Sequence, residues 1–404
     1  MADSCPLRGV HRHRGERLGA LVSSDAYRSA LATGRGGARV THGLVIGKFY
    51  PPHAGHVALI RAALAACERV TVQVLVSSAE SLPGDLRAAW LREEVPGAHI
   101  VVGLDDHPVD YASDAAWDAH VDVMTALLDE AVDVVFTSDS YGAELATRLG
   151  ARWHQVDPGR SATPVSGRAI RADPGANWWA LGAAARAWFA RRVVLVGAES
   201  TGTTTLAQDL VAHYGVPEVA EFGRTWSEIR PGGFQAPWHT AEFDLIAAEQ
   251  CRIEDDAARL TPIPLVIADT DAFATALWHE RYLGLPSPSV RTIAAARIPD
   301  LYLLTGDEIP FVQDGLRDGE HIRHAMQQRF REELSSQTAP WVEVRGSRQE
   351  RLAEAIDLIE PLLASPRLLA DPLPEAGVPA PLRAPTAETD RRVPMSALTG
   401  KMPS

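Results

Sequence analysis

Short apolar runs alternate with longer stretches of helical spacing in two successive parts of the chain. In the first part, positions 40–46 have strand character, a turn rich in Gly and Pro follows, and Val57, Ile60, Leu64 and Cys67 recur at the spacing of one helix face. Positions 70–77 form a β-rich run, 118–131 read as a helix and 132–138 as a buried strand. In the second part, the apolar run 192–196 leads into a glycine-bounded loop and a helix over 206–214 that Gly215 ends. Further strands are expected at 264–271, 299–304 and 341–344, and a helix at 348–363 closes the pattern. Such alternation predicts parallel sheets with helices on both faces. The expected fold class is therefore α/β, with two doubly wound parallel-sheet domains at 40–189 and 190–364. The stretch 178–190, with Trp178, Trp179, Trp188 and Phe189, reads as an amphipathic connection between them.

The two ends lack this periodicity. Residues 1–39, rich in Arg, Gly, Ser and His, are expected to be a mobile arm, and the weak helical hint at 20–31 falls short of a helix-turn-helix. Prolines at 366, 372, 374, 379, 381, 385, 394 and 403 recur too often for a packed core, so 365–404 is expected to be a disordered tail.

Composition sets limits on function. A length of 404 residues allows about two to three domains. The 46% hydrophobic and 23% charged shares are those of an ordinary globular protein. No apolar run approaches the ~20 residues that span a bilayer, and no signal-peptide core opens the chain, so a cytoplasmic location without membrane insertion is expected. Cys5, Cys67 and Cys251 show neither metal spacing nor a disulfide framework. The net charge of −13 argues against a general nucleic-acid binder, so anionic substrates must be held by local sites. Nearly all positive charge is arginine, because Lys48 and Lys401 are the only lysines.

Lys48 falls inside the string Gly47-Lys48-Phe49-Tyr50-Pro51-Pro52-His53-Ala54-Gly55-His56. Two histidines three residues apart at a helix start share one side of it, so one phosphate group can meet both. Gly55 leaves no side chain between them. Strand, tight turn and helix N-terminus together make an anion site. Ser77-Ser78 and Ser138-Asp139-Ser140 end later strands, where open sheets bind ligands, although each taken singly is ordinary turn chemistry. Further on, Ser166 is placed to cap a short helix and Arg171 to join the capped amides around a pyrophosphate.

In the second part, Gly197-Ala198-Glu199-Ser200-Thr201-Gly202-Thr203-Thr204-Thr205 has the glycine spacing of a phosphate-cradling P-loop. Thr204 occupies the place of the Mg²⁺-binding hydroxyl, but Thr203 stands where lysine is expected. The substitute cation must be an arginine, an ion or the partner domain, with Arg224, Arg317 and Arg323 as candidates. Asp269 and Asp271 end a buried strand and suit a Mg²⁺ ligand and a base for a substrate hydroxyl. The glycine-punctuated segment 313–319, which carries Arg317, has the character of a lid.

The histidine string resembles the signature of the nucleotidylyltransferase superfamily, in which a phosphate or carboxylate attacks the α-phosphorus of a nucleoside triphosphate. The segment 163–171 resembles the superfamily's second signature, Ile-Ser-x-Thr-x-Ile-Arg, with Arg168 at the threonine position. Over about residues 41–364 the chain resembles the NadR-type bifunctional nicotinamide mononucleotide adenylyltransferase and ribosylnicotinamide kinase family. Phe136-Thr137-Ser138-Asp139-Ser140-Tyr141-Gly142 and Asp314-Gly315-Leu316-Arg317 add to that likeness. The resemblance implies a Rossmann-like nucleotidylyltransferase domain followed by a P-loop kinase domain. It also implies ATP as co-substrate with Mg²⁺, and nicotinamide riboside, nicotinamide mononucleotide and NAD as small-molecule partners. His53 and His56 would contact the ATP phosphates, Lys48, Ser166 and Arg171 would assist, and Gly47 and Phe49 would give backbone contacts. Gly197, Gly202 and Thr204 would hold phosphate and Mg²⁺, with Asp269 or Asp271 as base or metal ligand. Pantetheine phosphate, nicotinate and cytidylyl-transfer substrates share the first motif. A nucleotide-sensing, non-catalytic second domain is the alternative that Thr203 suggests, and a NAD-responsive regulator ranks last. Homo-oligomerisation stays open.

Overall fold

The computed structural model describes residues 41–233, 236–313, 319–365, 367 and 369–373. The expected N-terminal arm, Arg317, most of the 313–319 segment and the tail beyond residue 373 lie outside them. Two parallel five-stranded sheets carry the fold. The first is built from β1 (His42–Gly47), β2 (Arg69–Val76), β3 (His99–Leu104), β4 (Val134–Thr137) and β5 (Arg152–Gln155), in the order β3-β2-β1-β4-β5. The second is built from β6 (Arg191–Val196), β7 (Glu218–Val219), β8 (Leu265–Asp269), β9 (Leu301–Thr305) and β10 (Trp341–Val344), in the order β10-β9-β6-β8-β7. In each sheet the chain steps to opposite sides of one central strand, β1 or β6. The crevice beyond the carboxyl end of such a strand is where open α/β sheets hold ligands.

The central strands are legible because they are buried on both faces and read as continuous apolar runs. Val134–Thr137 is buried throughout, as are Leu265–Asp269 and Leu301–Thr305. The edge strands β3 and β5 were not expected, since His99–Leu104 and Arg152–Gln155 are largely half-exposed and mix polar with apolar residues. The helix expected at 118–131 runs instead over Asp114–Ala126. Ser113 caps it by accepting from the Ala116 amide, and it closes where the Leu127 and Leu128 amides turn back tightly to Met124 and Thr125.

The stretch 178–190 is not one helix. Trp178–Ala180 forms a 3₁₀ turn, the chain extends through Leu181 and Gly182, and a helix covers Ala183–Phe189. Gly182 is pressed so closely on Glu94 that an added Cβ would lie 2.3 Å from its Oε1. Trp178, Ala185 and Phe189 share one apolar cluster with Leu82 and Trp90 on one side and Val194, Val196 and Tyr302 on the other. The Trp178 indole donates to the Thr261 carbonyl at 2.8 Å.

The expected tail also begins differently. Arg191 donates to the Ser365 carbonyl and Arg367 to Asp300, while Leu369 packs on the shared cluster. Ala370 accepts from the Tyr50 hydroxyl at 2.8 Å and donates its amide to Ser81 at 3.0 Å. Proline frequency alone gives no sign of these partners, because every one of them is far away in sequence.

Candidate active sites

The histidine string forms the turn from β1 into α1 (Ala54–Ala66). Phe49 adopts φ +46° in that turn, and its ring packs edge-on against His56 with centroids 4.8 Å apart. His53 caps α1: its Nδ1 accepts from the Gly55 amide at 3.2 Å. That hydrogen bond leaves Nε2 as the protonated nitrogen of the neutral ring. The His53 and His56 rings stack with centroids 3.7 Å apart and an interplanar angle of 24°. Gly55 makes this possible, since a Cβ there would stand 3.1 Å from His53 Cε1.

Burial, followed by the Arg160 and Arg171 guanidiniums, lowers the His53 pKa to about 4. His56 is held well below its ordinary value by burial first, then by His53 and Arg160. Both imidazoles are therefore neutral near pH 7, with cationic groups close by, and the buried Nδ1 of His56 has no hydrogen-bond partner among the described residues. Arg160 was not singled out from the sequence. It stands in the loop after β5 with φ +56° and pairs with Asp139 at 3.1 Å. Asp139 is thus paired with the guanidinium whose charge acts on both histidines, and it also lines an open cleft of about 770 Å³ with Tyr111, Trp117 and Tyr141.

The segment 163–171 packs on the histidine string. Ser166 caps the short α5 helix Gly167–Ala172 by accepting from the Ala169 amide at 3.1 Å. Arg171 donates to the Tyr50 carbonyl at 2.6 Å, and its guanidinium lies over the Tyr50 ring at 5.3 Å. Arg168 is exposed, so it adds no hydroxyl donor. Lys48 is 3.5 Å from Glu80, which in turn pairs with the buried Arg87 at 2.7 Å. Arg87 also donates to the carbonyls of Lys48 and Leu82, at 2.7 and 2.6 Å. Glu80 and Arg87 were missed: they sit in α2 (Gly84–Glu94) and the loop before it, and no local pattern marks them.

In the second half the glycine-bounded loop joins β6 to α7 (Thr203–Tyr214), three residues longer at its start than expected. Ser200 at φ +62° and Gly202 at φ +91° give the loop its left-handed turns. Its carbonyls and amides are held from outside. Arg351 donates to Thr201 O at 2.6 Å, Arg323 to Ser200 O at 2.9 Å, and Gln327 Oε1 accepts from the Ala198 amide at 3.0 Å. The Thr204 hydroxyl donates to Asp269 Oδ2 at 2.6 Å. Burial raises the Asp269 pKa, while hydrogen bonds from Thr204 and Thr203 and the charge of Arg224 work against that shift. Gly197, Glu199, Ser200, Thr203, Thr204, Arg224 and Asp269 line a common cavity of about 150 Å³ with Trp238, Phe243 and Tyr282. Thr205 is exposed and does not line it.

The two aspartates part company here. Asp271 is not in the loop cavity; it caps α10 (Ala272–Leu283) through the Ala274 amide and accepts from the Tyr302 hydroxyl at 2.6 Å. It faces a different cavity, lined also by Glu254, Arg192 and Arg297. Two residues along an extended segment is one full pleat, but the chain leaves the strand at Thr270, whose φ of +74° turns Asp271 away. Of the candidate cations, Arg224 lines the loop cavity, whereas Arg323 is engaged in holding the loop.

A family model described as "AAA domain" matches residues 192–351. The chain is 25% identical over 355 residues to the trifunctional NAD biosynthesis/regulator protein NadR of Escherichia coli (strain K12), covering 81% of this chain and 84% of the relative. It is 25% identical over 347 residues to the protein of the same name from Salmonella typhimurium, covering 80% and 83%. Among solved structures, a NadR protein in complex with NR matches with a TM-score of 0.64 at 20% identity, over 81% of this chain and 97% of that one. A NadR protein in complex with NAD and AMP-PNP matches with a TM-score of 0.61 at 20% identity, over 80% and 96%. In sequence over about four-fifths of its length and in fold, the chain is similar to NadR proteins.

Proposed function

We propose that residues 40–189 form a nucleotidylyltransferase domain that joins the adenylyl group of ATP to nicotinamide mononucleotide, giving NAD and pyrophosphate. Residues 190–364 form a P-loop kinase domain that phosphorylates nicotinamide riboside with ATP. The observation that carries the first assignment is the stacked, neutral His53–His56 pair at a helix N-terminus, flanked by Arg160 and by the Ser166–Arg171 helix. A phosphate oxygen of the mononucleotide attacks the α-phosphorus of ATP, and the bond from that phosphorus to the bridging oxygen breaks with its electrons leaving on pyrophosphate. No protein nucleophile is needed, so the residues act by positioning and by charge stabilisation. His53 Nε2–H and His56 serve as donors, Lys48, Arg160 and Arg171 supply positive charge, and the backbone at Gly47 and Phe49 completes the cradle. The bound NR, NAD and AMP-PNP of the structural neighbours, and the names of the curated relatives, support the choice of substrates.

In the kinase domain the loop 197–205 would cradle the phosphates. Thr204 and Asp269 fit a Mg²⁺ ion, a hydroxyl and a carboxylate 2.6 Å apart at the loop's end, and the ion would offset charge on the β- and γ-phosphates. Arg224 takes the part of the absent lysine.

The two activities are separable by mutation of the full chain. His53→Ala or His56→Ala is expected to lower NAD formation from mononucleotide and ATP by about 10²–10³-fold while riboside-dependent ADP production is retained. Equal loss of both activities in a folded variant rules the two-site assignment out. Thr203 favours a second reading, in which residues 190–364 bind nucleotide without turnover. Riboside-dependent ADP production that is abolished by Asp269→Asn eliminates that reading; nucleotide binding with no ADP produced establishes it.

A further inference from the structure

We propose that Asp105, His107 and His120 form a binding site for one zinc-class divalent transition-metal ion, apart from both candidate active sites. Asp105 follows β3 directly, His107 lies two residues on, and His120 projects from α3 (Asp114–Ala126). The donor atoms of the three residues lie within 4.8 Å of one another. Both imidazoles turn Nδ1 to the same carboxylate: His107 to Oδ1 at 3.0 Å and His120 to Oδ2 at 2.7 Å.

Ligand atoms about 2.0–2.2 Å from a tetrahedral ion stand roughly 3.3 Å apart. To admit one, the two nitrogen–oxygen contacts lengthen by about 0.3–0.6 Å and the widest donor pair, within 4.8 Å, closes by up to about 1.5 Å. Two nitrogens and one carboxylate oxygen are the ligand types such ions take, with a fourth position left for water. The far side of the His120 ring is also arranged: Nε2 faces the Pro108 carbonyl at 3.3 Å. A neutral imidazole has one N–H and can serve the carbonyl or the carboxylate, not both. An ion on Nδ1 leaves Nε2–H for Pro108, the backbone partner that metal-bound histidines commonly have.

The neighbouring acid groups are committed elsewhere. Asp106 accepts from Ser77 Oγ at 2.9 Å and from the Ser78 amide at 2.7 Å, and Asp110 accepts from the Ala112 amide at 3.0 Å. Bound metal would cross-link the end of β3 to α3 and fix the loop between them. That loop carries Tyr111, which lines the open cleft beside Asp139 and Tyr141.

The test is Co²⁺ titration of the chelator-treated full chain, read by visible absorption and followed by displacement with Zn²⁺. One equivalent per chain is expected, with the intense bands of a four-coordinate site. His107→Ala, at the most exposed of the three positions, should weaken binding by at least about a hundredfold with an unchanged circular dichroism spectrum. Asp105→Asn should do the same. A variant lacking His11 and His13 should bind like the parent chain, which separates this site from histidines of the N-terminal segment. Absence of a stoichiometric Co²⁺ spectrum, or binding that is unchanged in His107→Ala, overturns the assignment.

Discussion

Two imidazoles stacked at 3.7 Å are compatible only while neither carries a proton too many, and burial enforces that here. The consequence for stability has a definite sign. His53 binds its proton at about pH 4 in the folded chain and near its ordinary 6.5 when unfolded. Between those values the unfolded chain holds more protons, so stability is fully present above about 6.5 and is lost as pH falls towards 4. The shift corresponds to roughly 3 kcal/mol, and His56 acts in the same direction. Denaturant midpoints measured from pH 7.5 to 4.5 should fall less steeply for His53→Gln than for the parent chain; parallel curves would refute the burial argument. Glu254 has the opposite sign. Burial and the nearby Asp271 push it up to about 8, and among the described residues its Oε1 has no hydrogen-bond partner. Its contribution is lost as pH rises from about 4.5 through 8, so Glu254→Gln should be more stable than the parent chain at pH 8.5 and gain least at pH 5. The histidines were legible in the sequence because their chemistry is contiguous. Glu254 was not, since one acid on an amphipathic helix reads as a solvated face until its neighbours are placed.

Each candidate site is a turn between a strand and a helix, and the sequence carries the turn far better than it carries what holds it. Glycine spacing in 197–202 and the His-x-x-His string specify local backbone, which a short window contains. The supports come from afar: Arg323, Gln327 and Arg351 reach the loop 197–202 across 123, 129 and 150 residues. No periodicity links such pairs, so they become visible only when the strands are assembled. Arg351 shows how much rests on them. It is 4% exposed and donates to the carbonyls of Thr201, Gly306 and Gly346 as well as to Glu308. Arg351→Ala strands those acceptors and should cost roughly 3–5 kcal/mol, measured by urea unfolding. Arg351→Lys, which keeps the charge but not the fork, should recover only part of it. In the first site the support is steric. Gly55→Ala brings a methyl to about 3 Å from the His53 ring and should lower NAD formation by about tenfold or more with little change in unfolding midpoint. A large loss of stability without loss of turnover would contradict the geometry. The edge strands β3 and β5 were illegible for a related reason, because their half-exposed faces carry no alternation clean enough to separate strand from loop.

At the scale of the molecule, each sheet has apolar clusters of its own, and a further large cluster is shared between them. The cluster around Trp178 and Phe189 takes in Tyr50, Val165 and Ile170 next to the histidine pair and Val196, Ala198 and Tyr302 next to the glycine-bounded loop. The segment after α13 (Arg348–Ala364) adds a second tie, since Ala370 meets Tyr50 and Ser81 while Arg367 meets Asp300. A core shared in this way couples the stability of the halves, because neither half can open without exposing apolar surface that the other covers. Thermal unfolding should therefore show one calorimetric transition for the full chain. Trp178 is the residue on which to test it: it is 4% exposed, and its indole nitrogen is hydrogen-bonded to Thr261 across the seam. Trp178→Ala removes a large buried ring and should cost roughly 3–5 kcal/mol. Because Trp178 lines neither loop cavity nor histidine pair, the two proposed activities should keep their values at low temperature. On heating they should be lost together, at a lower temperature than in the parent chain. Independent halves give a different record, with two transitions of which Trp178→Ala moves one and leaves the other in place, and that result would sever the shared core from the stability of the whole.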